Sequence, residues 1–118
     1  MSLKLYGITT CGTVKKARAW LDSRGAAYQW SDLREEPPTR AQIDGWMAIF
    51  GAKAMRNTSG GAYRALGPEK AEWSDAQWAE AFAADPMLLK RPILERDGAP
   101  VQVGFRGTDA EFEARLLG

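Results

Sequence analysis

The first 33 residues change their apolar spacing twice, in the manner of a strand–helix–strand unit. Leu3 to Ile8 is a short apolar run of strand length. From Gly12 the apolar residues change spacing: Val14, Ala17 and Leu21 lie on one face of a helix. Thr10 stands where a helix cap belongs and Gly25 where a helix stops. Ala27 to Leu33, with Tyr28 and Trp30, reads as a second strand. A strand–helix–strand unit closes by a right-handed crossover, so the two strands are expected to be parallel.

The rest of the chain supplies helices and then a hairpin. After the turn "REEPPTR", Thr39 and Gln42 form a capping box ahead of Ile43, Trp46, Met47 and Phe50, and Gly51 ends that helix. "AKAMRN" reads as a short helical turn and "TSGGAYRALGP" as loop. Ser74 and Gln77 repeat the box before Trp78 and Phe82, and Asp85-Pro86 stops that helix. A strand at Ile93 to Arg96, a turn at Asp97-Gly98 and a strand at Val101 to Phe105 make a hairpin. A third box, Thr108 with Glu111, opens a last helix through Phe112 and Leu116. This order is that of a thioredoxin-like α/β fold, although other α/β layers share it. A mixed four-stranded sheet is expected, with a helical insertion over roughly residues 38–86 between the βαβ and ββα halves, in one domain spanning residues 1–118.

Composition removes several kinds of chemistry. The chain has 118 residues, no histidine and one cysteine, Cys11. Catalysis by Cys–His or Ser–His pairs and the common zinc sites are therefore not expected, and no metal centre is assigned. A net charge of +1 gives no general attraction to nucleic acid or anionic lipid, so no nucleic-acid partner is expected. No apolar run approaches the ~18 residues of a membrane span and no signal-peptide pattern precedes the first strand. With a cysteine that cannot pair within the chain, a reducing, cytoplasmic location is expected.

Cys11 sits between a strand and the start of a helix. An unpaired cysteine is commonly a small buried hydrophobe, and that plain reading stands beside a chemical one. The chemical reading rests on position. Free amides and the helix dipole at that end favour an anion, and helix N-termini lower a cysteine from ~8.5 into the range ~3.5–7.5. The amides of Gly12 and Thr13 would face a bound oxyanion, with Thr10, Thr13 and Lys15 as supporting groups. Two anions side by side need added positive charge, which arginine supplies bidentately. Arg56, Arg91 and Arg106 stand at element boundaries where they could converge, although each taken singly reads as a surface charge. Pro92 opens a strand, which suits an edge strand or a tight approach, and X-Pro is where cis bonds occur.

The stretches "YGITTCGTVKKARAWL", "EEPPTRAQI", "LKRPIL" and "VGFRGTD" together resemble the glutathione-linked arsenate reductases and their Spx and YffB relatives, over nearly the whole chain. The resemblance implies a cis bond before Pro92. It also implies a nucleophilic Cys11 surrounded by Arg91, Arg106 and Arg56, with Arg64 as a less favoured third arginine. The implied substrate is a small oxyanion. No bound cofactor is implied; glutathione would be co-substrate and glutaredoxin would complete the cycle. Two alternatives stay open. A YffB-type enzyme would exchange thiols with glutathione mixed disulfides. An Spx-like regulator would bind RNA polymerase, but its Cys-x-x-Cys switch is impossible here because Val14 holds the fourth position.

Overall fold

In a computed structural model, residues 2–106 and 110–118 are described. The chain forms two compact units. The first is built from residues 1–33 and 91–118, and the second from the intervening residues 34–90.

The first unit holds the strand–helix–strand segment and the hairpin. Strand β1 (Leu3–Gly7) leads to helix α1 (Gly12–Ser23) and strand β2 (Gln29–Asp32). After the second unit come β3 (Ile93–Arg96), β4 (Ala99–Val103) and α6 (Ala110–Leu117). The four strands make one mixed sheet in the order β2-β1-β3-β4. β1 and β2 are parallel, with Gly7 opposite Asp32, and β3 is antiparallel to both β1 and β4. Alternation along β1 sends Leu3 and Leu5 to one face, where they pack with Val14, Ala17 and Leu21 of α1, Leu94 of β3, and Phe112 and Leu116 of α6. The helical spacing read at positions 14, 17 and 21 is thus the buried face of α1.

The hairpin turn is a two-residue loop between paired Arg96 and Ala99. Asp97 and Gly98 both have positive φ, at 53° and 82°, which is the turn type that suits twisted strands and favours Asp-Gly. β4 begins and ends two residues earlier than the sequence pattern suggests. Pro100 falls inside it, opposite Glu95 at a register shift, and is tolerated because β4 is an edge strand. β3, by contrast, is an inner strand, so Pro92 does not mark an edge. It sits just before the ladder, joined to Arg91 by a cis bond, and its carbonyl accepts from the Gly104 N–H at 2.8 Å.

The second unit contains α2 (Arg40–Phe50), α3 (Ala52–Met55), α4 (Gly61–Arg64) and α5 (Asp75–Ala84), with single 3-10 turns at Pro68–Glu72 and Pro86–Leu88. Thr39 and Ser74 each complete the expected capping box with Gln42 and Gln77. Ile43, Trp46, Met55, Trp78, Phe82 and Leu89 are buried. The turn α4 lies inside the segment that reads as loop. The third box, at Thr108, lies outside the described residues. No helix among the described residues is long and apolar enough to cross a membrane.

Candidate functional site

The site is assembled by one end of the sheet. β1 and β2 run toward that end, β4 runs toward it as well, and β3 starts from it: Tyr6 is opposite Ile93, and Ile93 is opposite Val103. Three segments of the first unit therefore meet there. They are the Thr9–Cys11 turn after β1, the Arg91-Pro92 step before β3 and the Gly104–Arg106 segment after β4. Cys11, Gly12, Thr13, Lys15, Arg91, Pro92 and Arg106, separated by as much as 95 positions in sequence, are brought to one end of one sheet. Open α/β sheets bind their ligands at the ends from which strands lead into helices.

Cys11 is the N-cap of α1, in extended conformation, and makes no side-chain capping hydrogen bond. Its N–H donates to Ile8 O at 3.3 Å and its carbonyl accepts from Lys15 N at 3.0 Å. The helix begins at Gly12, so the cap is Cys11 rather than Thr10. Thr9 and Thr10 are used up by the turn that closes onto Ile8, and Thr10 is exposed. Cys11 is half-buried and packs against the core cluster beneath α1, while Gly12, Thr13 and Lys15 are exposed. Among the described residues, a Cβ at Gly12 would meet nothing within 4 Å. The amides of Gly12, Thr13 and Val14 are the donors that a helix start leaves without intrahelical partners.

Two anchors hold the neighbouring segments. The Gly104–Pro92 bond ties the end of β4 to the step carrying Arg91. Phe105 is set among Trp20 of α1, with ring centroids 6.1 Å apart, and Phe112 of α6, at 5.5 Å in an edge arrangement. Arg106, the next residue, is exposed. Arg91 is partly buried. Tyr6, buried on β1, donates its hydroxyl to Glu95 at 2.9 Å.

Arg56 belongs to the second unit. It follows α3, pairs with Leu89 in an isolated bridge, and donates from Nε to Ala52 O at 3.3 Å. Its guanidinium lies 4.2 Å from the ring centre of buried Trp78, on which Tyr63 also stacks. Arg64 is exposed and bonds Ser59 O at 2.7 Å.

Sequence reading missed Gly7 and Phe105 as parts of this site. Gly7 stands directly beneath the first turn of α1. A Cβ there would lie 2.7 and 2.9 Å from the two methyls of Val14 and 3.4 Å from Trp30. The only sequence trace is a glycine ending an apolar strand.

The β2-β1-β3-β4 order, with β1 and β2 parallel and joined through α1, and the cysteine at the start of that helix are those of a thioredoxin-like domain. The chain belongs to the ArsC family, whose model matches residues 6–111. It is similar to the YFFB protein, with a TM-score of 0.87 and 35% identity over 99% of this chain and 100% of that one. It is likewise similar to a protein from Streptococcus mutans UA159 titled "a possible arsenate reductase", with a TM-score of 0.83 and 35% identity over 94% of this chain and 97% of that one. It is 28% identical to the global transcriptional regulator Spx 2 of Oceanobacillus iheyensis, over 92% of this chain and 81% of that protein.

Proposed function

We propose that the protein is a monothiol oxidoreductase acting on a small oxyanion, arsenate being the substrate that its family suggests. The observation that carries this reading is the placement of an uncapped helix-start cysteine at the same sheet end as Arg91 and Arg106. The Cys11 thiolate attacks arsenic(V). A sulfur–arsenic bond forms, one arsenic–oxygen bond breaks, and that oxygen leaves as water after taking up a proton. Arg91, Arg106 and the amides of Gly12 and Thr13 hold the remaining oxygens, which carry the negative charge. An external thiolate then attacks the Cys11 sulfur. The sulfur–arsenic electron pair stays with arsenic, which becomes arsenic(III), and Cys11 is left in a mixed disulfide.

The chain has one cysteine, so the second thiol must come from another molecule. Glutathione fills that role in this reading, and glutaredoxin returns Cys11 to the thiol. The test is arsenate-dependent NADPH consumption with glutathione, glutaredoxin and a glutathione-recycling system, comparing the wild type with Cys11→Ala. No Cys11-dependent consumption removes arsenate as substrate. A glutathionylated peptide in place of arsenate then tests thiol exchange alone.

Family resemblance assigns Arg56 as the third arginine. Its contact with Trp78 gives it a packing role in its own unit, worth about 0.5–2 kcal/mol. Arg56→Ala is expected to lower the melting temperature; loss of turnover at a temperature where the variant stays folded establishes the catalytic role as well.

Similarity to Spx 2 favours a second reading, a regulator that binds RNA polymerase with Cys11 dispensable. Retention of polymerase by both wild type and Cys11→Ala in a pulldown with purified components supports it, and retention by neither removes it.

A further inference from the structure

We infer that Gly7 is a positioning residue for Cys11, acting through Val14. The inference deepens the proposed use of Cys11 and rests on it for one arm of the test only.

Gly7 ends β1, and its carbonyl accepts from Leu33 N at 2.8 Å, which fixes its backbone in the sheet. Val14 is the third residue of α1, fully buried, and aims both methyls at Gly7. A Cβ at position 7 would lie 2.7 Å from one methyl and 2.9 Å from the other. Those separations fall well short of the ~3.5–4.0 Å at which carbon atoms attract. Rotation of Val14 offers little escape, since a β-branched side chain in a helix has one strongly preferred χ1. Trp30 would be in van der Waals contact on a third side at 3.4 Å, and Arg18 of α1 lies over the Trp30 ring at 4.2 Å. The strand is pinned by its ladder, so the first turn of α1 is what yields. Cys11 caps that turn, three residues before Val14, and moves with it.

The missing side chain at position 7 therefore sets how closely the helix start, and the thiol at its head, approaches the sheet end that carries Arg91 and Arg106. An ångström of misplacement at a reacting atom costs about 10²-fold in rate. A close helix-to-strand seat is a packing requirement in any fold. Here it governs the residue that carries the chemistry, because Val14 is in the same helical turn as the cap.

The test is the rate at which iodoacetamide alkylates Cys11 in the folded full-length protein. Wild type, Gly7→Ala, Val14→Ala and Gly7→Ala/Val14→Ala are compared in urea concentrations below the unfolding transition. Lifting the first turn draws the half-buried thiol out of its packing. Gly7→Ala is expected to alkylate about 10-fold faster, at a rate independent of urea, as a local effect of overpacking rather than unfolding. Removing the Val14 methyls is expected to restore the slow rate in the double variant. Agreement of all four rates within about 2-fold, or a Gly7→Ala rate that climbs with urea as a merely destabilised fold would give, overturns the inference. If Gly7→Ala does not fold, Val14→Ile presses the same contact from the helix side, and it must show the same urea-independent increase.

The second arm measures protection of Cys11 from iodoacetamide by arsenate. Protection of the wild type that weakens about 10-fold in Gly7→Ala supports the positioning role, and equal protection counts against it. Absence of protection in the wild type is a failure of the proposed oxyanion substrate, and the alkylation rates then decide the role of Gly7 alone.

Discussion

The starts of α1 and α2 answer the same physical problem in opposite ways. Both helices leave amides without intrahelical partners. At α2 the Thr39 side chain accepts from Gln42 N while Gln42 returns a bond to Thr39 N, and α5 repeats the device with Ser74 and Gln77. At α1 the cap is Cys11, which makes no such bond, and a Cβ at the following Gly12 would meet nothing within 4 Å among the described residues. The one-turn helices α3 and α4, with Gly51 and Gly60 at their N-caps, also lack a side-chain cap. Among the longer helices whose starts are described, α2 and α5 are capped and α1, at the end of the sheet, is not. The proposed function gives that difference a use, because uncapped amides can serve an anion.

The largest expected effect tests that contrast at its centre. Cys11→Ser puts a preferred capping residue at α1 and removes the nucleophile. Turnover in the coupled arsenate assay is expected to fall on the order of 10³-fold or more, as when a covalent nucleophile is lost. Thermal melting is expected to show a helix at least as stable as before, by up to about 1 kcal/mol. A variant that is both inactive and less stable would mean that the thiol contributes packing the contrast overlooks, since Cys11 touches the core beneath α1.

A smaller effect is expected at the arginines, which belong to the α1 side of the comparison only. Arg91→Ala and Arg106→Ala are each expected to lower kcat/KM for the oxyanion about 10²-fold, the cost of removing one charge-stabilising donor. Alkylation of Cys11 without oxyanion separates loss of binding from loss of fold. Phe105→Ala sharpens the point: it touches no reacting group, yet it removes the ring that holds the Arg106 segment against Trp20 and Phe112. If Arg106 matters through its position, Phe105→Ala shares the loss in kcat/KM.

Much of this contrast is visible in the sequence, and the hidden parts are hidden for physical reasons. The capping boxes at Thr39 and Ser74, the 14/17/21 stripe and Asp97-Gly98 are local signals, set by residues within a few positions of one another, and each of these forms as its pattern predicts. Cys11 is conspicuous because it is alone, and Arg91 and Arg106 because they flank strands. The start of β4 was concealed by Pro100, whose low strand propensity is offset by its place on an edge strand at a register shift. The turn α4 was concealed by Gly60 and Gly61, poor helix formers in a segment fixed by its surroundings. Thr10 has the better capping side chain, but the Ile8–Cys11 turn consumes it and moves the cap by one residue. Gly7 and Phe105 were out of reach because their meaning lies in contacts with other elements: Val14 across a helix–strand seat, and Phe112 across the sheet's last crossing. The stacking of Arg56 on Trp78, twenty-two positions apart, is hidden for the same reason.

The smallest expected effect moves the cysteine to the other side of the comparison. In a Cys11→Ser background, Thr39→Cys gives α2 the kind of start that α1 has. It removes the hydroxyl that accepts from Gln42 N at 3.1 Å and is expected to cost about 1 kcal/mol in urea unfolding, as cap losses generally do. The introduced thiol stands at a helix N-terminus with an arginine beside it, but Arg40 is committed to Asp44 at 3.0 Å. Its alkylation is therefore expected to be insensitive to arsenate, whereas that of Cys11 in the wild type is slowed. Equal sensitivity at both positions would show that any helix start suffices, and that the sheet end with Arg91 and Arg106 adds nothing. Insensitivity at α2 alone would place the selectivity in what surrounds the cap, because the helix dipole is common to both.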